Sequence, residues 1–200
     1  MNHEKLRQSL EKRGYQVSLF DSASQAAEYL VSQIVGRTVG FGDSATLAAM
    51  NLASRLSECN QVFDPGSCPD EEFLATAKKA LTTEVFLTSV NGVAQTGELV
   101  NLDGTGNRVA GSLFGHKKVF FVFGRNKIEP TLEQAIWRAR NIAAPINAKR
   151  LGYRTPCAIK GDRCYDCSSP DRICNALVIY YGKMHSIEAE VILIDETLGY

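Results

Sequence analysis

The sequence has no net charge and no hydrophobic run long enough to cross a membrane. Lys plus Arg and Asp plus Glu each number 22 in 200 residues, so the chain lacks the basic surplus typical of nucleic-acid-binding proteins. The apolar run at residues 119–123 is far shorter than the roughly 20 residues of a membrane-spanning helix. The first residues also lack the apolar stretch of a secretory signal. We therefore expect a cytoplasmic protein with no membrane span and no nucleic-acid partner.

Histidine is also scarce. His3, His116 and His185 lie far apart, so no local pattern supports a histidine general base or a histidine-based metal site. Hydrophobic residues nevertheless make up 44% of the chain and charged residues 22%. This balance allows a hydrophobic core to form and argues against disorder.

Strand-like and helix-like segments alternate along most of the chain. Strands are predicted at residues 15–20, 38–41, 61–63, 84–88, 118–123, 176–181 and 190–194. Helices are predicted at residues 2–13, 22–34, 44–56, 69–81 and 129–139. Such alternation is typical of βαβ units in an α/β fold, where helices cover a mostly parallel sheet. The pattern breaks between residues 147 and 175, which we interpret as an irregular insert.

Residues 39–46 run from a predicted strand through a glycine turn into a helix. Glycine lets a ligand approach the backbone closely, and the first amides of a helix can bind an anion. The turn lacks the glycine spacing of nucleotide-binding loops, and Asp43 could itself cap the helix. A capped tight turn and an anion site therefore both stay open. The residues that would bind the anion are Gly40, Gly42 and Ser44.

The segment from residue 89 to residue 108 is dense in polar and flexible side chains. It follows a predicted strand, and ligands of open α/β sheets bind at the carboxyl ends of the strands. Arg108 could hold a carboxylate or phosphate through two hydrogen bonds. Glu98 and Asp103 are the candidate catalytic carboxylates. The other candidate ligand-binding residues are Asn91, Gln95, Thr96, Gly97, Asn101, Gly104, Gly106 and Asn107.

Two interpretations of this segment compete. A long hairpin would need its glycines only for turns. We favour a site for a small anionic ligand, because the segment is longer and more polar than a connection requires.

A third candidate follows the apolar strand at residues 118–123. Arg125 and Lys127 place two cations between a strand and a helix, where they could meet an anion. A solvated connection accounts for the same residues. If the segment binds a ligand, Asn126 and Lys127 are the candidate contacts.

Four of the six cysteines lie within 18 residues, as Cys157, Cys164, Cys167 and Cys174. Four thiolates could bind zinc or hold an iron–sulfur cluster, and a reducing compartment favours a metal over two disulfides. Only Cys164 and Cys167 form a close pair, whereas a zinc ribbon has two such pairs. A metal or redox site and a set of free thiols therefore both stay open.

Several motifs resemble those of the LUD-domain family. The central ones are Leu87-Thr88-Ser89-Val90-Asn91 and the run from Thr96 to Val109. Further matching segments are residues 126–128, 141–145, 147–151, 155–157, 164–175 and 196–200. The resemblance implies a single LUD domain over residues 1–200, with a loosely matching N-terminal helical region at about 1–36 and a cysteine-rich insert at about 152–175.

The resemblance also implies a fold and a function. The fold is a three-layer α/β/α arrangement of the NagB, ribose-5-phosphate isomerase and CoA-transferase type, in agreement with the alternation above. The function is that of an accessory factor in bacterial lactate, or 2-hydroxy-acid, utilisation, grouped with iron–sulfur oxidoreductase proteins. Some isomerases of this fold place a catalytic aspartate where this chain has Asn91, and that departure argues against their mechanism.

Two further functions stay open from the sequence. One is a stand-alone isomerase or acyl/CoA-transferase-type enzyme on a phosphorylated or carboxylate substrate, with Glu98 and Asp103 as its acid–base groups. The other is a four-cysteine metal-binding or redox module, with zinc or an iron–sulfur cluster as its cofactor. Both a monomer and a homodimer are compatible with the sequence.

Overall fold

Ten strands form two sheets in this protein, for which a computed structural model describes residues 3–200. The strands are β1 Gln16–Phe20, β2 Thr38–Phe41, β3 Gln61–Phe63, β4 Val85–Thr88, β5 Gly92–Ala94, β6 Leu99–Asp103, β7 Lys118–Gly124, β8 Ile128–Glu129, β9 Ala176–Tyr180 and β10 Glu188–Ile194. The larger sheet has the order β1-β10-β7-β4-β2-β3. All of its neighbouring strands are parallel, as the alternation of strands and helices predicts.

The helices connect these parallel strands and cover both faces of the larger sheet. They are α1 His3–Lys12, α2 Ala23–Gln33, α3 Ala45–Ala49, α4 Leu52–Ser57, α5 Phe73–Ala80, α6 Asn107–Leu113, α7 Leu132–Arg138, α8 Ala144–Arg150 and α9 Pro156–Lys160. A π-helical turn at Ala139–Ala143 joins α7 to α8. No helix in residues 3–200 is long and apolar enough to cross a bilayer.

The central strand β7 shows how the layers are built. Phe120 and Val122 pack with α2, α3 and α4 in one core cluster, and Phe121 and Phe123 pack with α1 in a second. Successive side chains of a strand point to opposite faces, so a strand apolar at every position is covered on both sides. The structure therefore confirms the three-layer α/β/α fold.

A smaller mixed sheet of order β8-β5-β6-β9 lies beside the second core cluster. Strands β5 and β6 are antiparallel and form a hairpin inside the 89–108 segment. Gly97 makes the turn with a φ of 95°, a conformation that glycine adopts without steric cost. The segment thus contains a hairpin at residues 92–103, but its turn lies at Gly97 and not at Asp103-Gly104 or Gly106-Asn107, which lead into α6.

Two predicted helices differ from those in the structure. The helix predicted at 44–56 is interrupted at Asn51, which has a φ of 51° and separates α3 from α4. Asparagine tolerates this left-handed conformation better than most residues. The helix predicted at 69–81 begins with a 3₁₀ turn at Asp70–Glu72. For the helix predicted at 2–13, Asn2 lies outside the described residues, and α1 covers the rest up to Lys12.

Candidate functional site

A cleft of about 450 Å³ opens at the carboxyl ends of β2 and β4. Gly42 and Asp43 follow β2, and Asn91 follows β4. The loop between β6 and α6, the start of α8 and the segment at the start of α5 contribute further walls. The charged residues that line it are Asp43, Asp70, Asp103 and Arg108. The cleft therefore combines three carboxylates with one guanidinium group, and its size suits a small ligand.

Arg108 is held against the wall of the cleft by Asn91 and the backbone of β6. The Asn91 Oδ1 atom accepts hydrogen bonds from Arg108 Nη2 at 3.1 Å and from Leu102 N at 2.8 Å. Arg108 Nη2 also donates to Leu102 O. Arg108 Nε is buried and has no hydrogen-bond partner within residues 3–200. Because Nη2 is already bonded and Nε is buried, Nη1 is the guanidinium nitrogen left to contact an anion in the cleft.

The glycine turn after β2 makes room for this arginine. A Cβ atom at Gly42 would lie 2.9 Å from Arg108 Cγ and 3.0 Å from Thr88 Oγ1. Any larger residue would push the arginine away from the end of the sheet. Ser44 caps α3, since its hydroxyl accepts a hydrogen bond from Leu47 N. Of the two capping residues compatible with the sequence, Asp43 and Ser44, the structure uses Ser44.

Asp103 shapes the loop on the other side of the cleft. Its carboxylate accepts hydrogen bonds from Gly106 N and Val109 N, both at 2.9 Å. Gly106 is the N-cap residue of α6 and has no side chain to satisfy these amides. Asp103 therefore caps the helix from three residues further back, and it holds Arg108 in the first turn of α6.

Replacing Asp103 with alanine is expected to destabilise the protein by about 1–2 kcal/mol, because two amides at the start of α6 lose their acceptors. Replacing Asp103 with asparagine should cost less, since one acceptor oxygen remains. Urea denaturation followed by circular dichroism measures both changes. Asp70→Ala removes an exposed cleft carboxylate and is the matched control. An equal loss for Asp70→Ala and Asp103→Ala would contradict the capping role.

The carboxylate of Asp43 has an unusual backbone and an unusual environment. Its φ of 46° lies in the left-handed region. This backbone conformation is strained for a residue with a side chain, and contacts with the surrounding structure must offset the strain. Burial raises its pKa above the ordinary value, and repulsion from Asp64 and Asp103 acts in the same direction, while Arg150 and Arg108 oppose them. A carboxyl of this kind can accept a hydrogen bond from a ligand hydroxyl.

Behind the cleft, Lys127 is almost completely buried, at 3% exposure. Its Nζ atom lies 3.0 Å from Thr46 Oγ1 and 3.0 Å from Ser89 Oγ. No carboxylate forms an ion pair with it in the part of the chain that the structure describes. Burial lowers its pKa well below the ordinary value, and Arg138 and Arg108 lower it further.

The last three residues cover this lysine. Leu198 N donates to Asn126 Oδ1 at 3.0 Å, and Leu198 O accepts from Thr46 Oγ1 at 3.4 Å. A Cβ atom at Gly199 would lie 2.6 Å from Thr46 Oγ1 and 3.4 Å from Lys127 Nζ. Tyr200 reaches the cleft wall, because its hydroxyl lies 2.6 Å from Asn147 Oδ1.

The family model of the LUD domain matches residues 3–194. The chain belongs to the LUD-domain family. A solved structure of a DUF162 family protein from Deinococcus radiodurans has a TM-score of 0.55 to this chain at 15% sequence identity. The alignment covers 97% of this chain and 99% of that one, so the two proteins share a fold. No curated protein matches this chain.

In this LUD-domain protein, the turn from Gln95 to Glu98 contacts α1 and does not line the cleft. The Glu98 carboxylate pairs with Arg13 and accepts a hydrogen bond from Thr96 Oγ1. Arg13 Nε also donates to Thr96 O at 2.8 Å. The candidate catalytic carboxylates Glu98 and Asp103 are thus engaged in separate structural contacts.

The other candidate residues from the sequence fall into two groups, those that line the cleft and those that do not. Those that line it are Gly42, Asn91, Asp103, Gly104, Asn107 and Arg108. Those that lie in neighbouring loops and strands without lining it are Gly40, Ser44, Asn101, Gly106, Asn126 and Lys127. Asn101 is fully buried, and its Nδ2 atom donates to Ser89 O at 3.4 Å.

The four clustered cysteines are partly buried free thiols in this LUD-domain protein. No group of three or more His, Cys, Asp or Glu side chains within residues 3–200 has an arrangement that could hold a metal ion. Cys174 lies 3.5 Å from Arg172 Nη2, and Cys164 lies 3.8 Å from Arg140 Nη2. Two of the four thiols therefore contact arginines, and Cys157 Sγ lies 3.2 Å from Thr155 Oγ1.

Sequence reasoning missed Thr46, Arg138, Asn147 and Tyr200, which support the cleft and the buried lysine. Arg138 is 3% exposed and donates from Nη1 to Asn91 O and from Nε to Asn126 O. It therefore joins the cleft wall to the turn that carries Lys127. The sequence signals near them were the glycine turn at residues 39–46 and the resemblance of residues 147–151 and 196–200 to the family, and none of these showed their contacts.

Proposed function

We propose that this LUD-domain protein binds a small hydroxylated organic acid in the cleft, as an accessory factor of 2-hydroxy-acid utilisation beside iron–sulfur oxidoreductases. The observation that carries the proposal is Arg108, which lines the cleft at the carboxyl end of the sheet and is held there by Asn91. Family membership supports the metabolic context.

The charges of the cleft favour a ligand with one negative group. A ligand carboxylate can accept a charge-assisted hydrogen bond from the Arg108 guanidinium. A second negative charge on the ligand would lie near the carboxylates of Asp43, Asp70 and Asp103, which line the same cleft, and like charges repel one another. Carboxylates are instead good acceptors for ligand hydroxyls. A 2-hydroxy acid such as lactate or glycerate has one carboxylate and at least one hydroxyl, and it fits these demands.

Calorimetric titration with L-lactate, D-lactate and glycerate tests the ligand. We expect millimolar or tighter binding to the wild-type protein and at least a tenfold loss in Arg108→Gln, which corresponds to about 1.4 kcal/mol. Arg140→Gln removes an exposed arginine outside the cleft and should bind normally. Asn107→Ala is a second cleft variant in case Arg108→Gln fails to fold. Equal affinities of the wild type and both cleft variants would refute the assignment.

A reconstituted lactate-dependent reductase assay tests the partners. Addition of the wild-type protein to iron–sulfur oxidoreductases should increase electron transfer from lactate, and Arg108→Gln should increase it less. Unchanged activity, together with no co-elution of the proteins, would argue against the accessory role.

A further inference from the structure

Lys127 has the environment of a reactive amine rather than of a structural cation. Two hydroxyl oxygens lie within 3.0 Å of its Nζ atom, and no carboxylate in residues 3–200 pairs with it. Isolated burial of an ammonium group is costly, so such a lysine favours the neutral form. A neutral amine has a free lone pair and is a nucleophile.

The amine lies directly behind the ligand cleft. Ser89 and Asn91 belong to the same short link after β4, and Asn91 lines the cleft. Arg138 donates to the carbonyl groups of both Asn91 and Asn126, next to Lys127. Lys127 itself does not line the cleft: its partner Ser89 lies two residues before the cleft residue Asn91, and residues 198–200 cover the amine.

We propose that Lys127 forms an imine with a small aldehyde or 2-oxo acid that enters from the cleft. This proposal adds a covalent step to the reversible binding of an acid. It rests on the proposed function in one respect: the anion site would make the protein prefer carbonyl compounds that carry a carboxylate.

The chemical step balances without an oxidant or a metal. The Lys127 Nζ lone pair attacks the carbonyl carbon, and the carbonyl oxygen takes up a proton as the nitrogen loses one. Ser89 Oγ and Thr46 Oγ1 lie 3.3 Å apart and both contact Nζ, so they can pass that proton. The carbinolamine then loses its hydroxyl group with a second proton as water, and the carbon–nitrogen double bond forms.

Reductive trapping of the full-length protein tests the proposal. The protein is incubated with glyoxylate or pyruvate and cyanoborohydride, and the modified lysines are located by peptide mass mapping. We expect the adduct at Lys127 to exceed that at the exposed Lys149 by at least tenfold at neutral pH. Ser89→Ala and Thr46→Val, which preserve side-chain size, should each lower the yield at Lys127. An adduct no greater at Lys127 than at Lys149 would overturn the proposal.

A second carbonyl probe separates this proposal from the proposed function. Glycolaldehyde has no carboxylate and should label Lys127 more weakly than glyoxylate if Arg108 recruits the anion. Equal labelling by both probes would support a reactive amine at Lys127 but would contradict the recruitment of anions by Arg108. Lactate binding that depends on Arg108, without any adduct at Lys127, would preserve the anion site and reject the reactive amine.

Access to Lys127 can be tested with a matched pair of glycines. Gly199 has a φ of 63° and no room for a Cβ atom beside Thr46, whereas Gly36 has a φ of 65° and nothing within 4 Å of such an atom. Both alanine variants share the backbone strain, but only Gly199→Ala displaces the covering residues. We expect faster trapping at Lys127 in Gly199→Ala alone. Equal rates in the two variants would show that residues 198–200 do not control access.

Discussion

Replacing Lys127 with methionine is expected to stabilise the protein at neutral pH and to make its stability less dependent on pH. Burial, with Arg138 and Arg108 nearby, lowers the pKa of Lys127 well below the ordinary value. In the unfolded chain the amine binds a proton up to a pH of about 10.5, so unfolding takes up a proton between the lowered pKa and that pH. Folding of the wild type is thereby penalised at neutral pH, and methionine removes the penalty.

The sign and slope of this effect can be stated. Between the lowered pKa and about 10.5, the unfolded state binds one proton more than the folded state, so stability rises with pH by about 1.4 kcal/mol per pH unit. Above about 10.5 both states are neutral and the effect ends. The loss of the hydrogen bonds to Thr46 and Ser89 in Lys127→Met opposes the gain by about 1 kcal/mol.

Urea denaturation between pH 6 and pH 10 measures the difference between the wild type and Lys127→Met. The difference should shrink as the pH rises, and the wild type should become the more stable protein at the alkaline end. Lys149→Met controls for the loss of one positive charge at an exposed site. A difference that stays constant across this range would mean that the folded protein holds Lys127 as an ammonium ion.

The arrangement of the larger sheet follows directly from local sequence patterns. Strand β7 is apolar at every position from Val119 to Phe123, which predicts burial on both faces, and both core clusters contact it. The capping of α2 by Ser22 is equally local, since Ser22 Oγ accepts from Gln25 N. Such signals depend on spacing within one element, and this is why sequence reasoning could find them.

The two candidate carboxylates show where local reasoning stops. Glu98 and Asp103 are close in the chain, and the sequence suggests that they act together. In the structure they lie at opposite ends of β6, which separates them by about 16 Å at 3.3 Å per residue. The spacing of apolar residues and the amino-acid composition do not reveal that the hairpin places Glu98 near α1 and Asp103 at the cleft.

The residues that sequence reasoning missed depend on contacts between distant parts of the chain. Thr46 is 81 positions from Lys127, and Arg138 is 47 positions from Asn91. A threonine in a short helix and an arginine at the end of another give no local sign of such partners. They become recognisable only when the parallel sheet brings the ends of β2, β4 and β7 to one edge.

Replacing Arg138 with methionine is expected to cost about 3 kcal/mol of stability. The substitution leaves the buried carbonyl groups of Asn91 and Asn126 without the donors that Arg138 supplies. It also removes the partner of Glu129 Oε1, which lies 3.8 Å from Arg138 Nε. Since Asn91 positions Arg108, the variant should bind organic acids more weakly as well, even at temperatures where it remains folded.

Arg140→Met is the matched control for this prediction. Arg140 lies two residues further along the same helical stretch, where it is exposed and, within residues 3–200, hydrogen-bonds to Cys164 and Asp166. Methionine and arginine have similar helix propensities, so the two variants differ in burial and in hydrogen bonding rather than in helix formation. Loss of a surface ion pair costs roughly 0.5 kcal/mol. Similar urea midpoints for the two variants would show that Arg138 does not connect the cleft wall to the turn that carries Lys127.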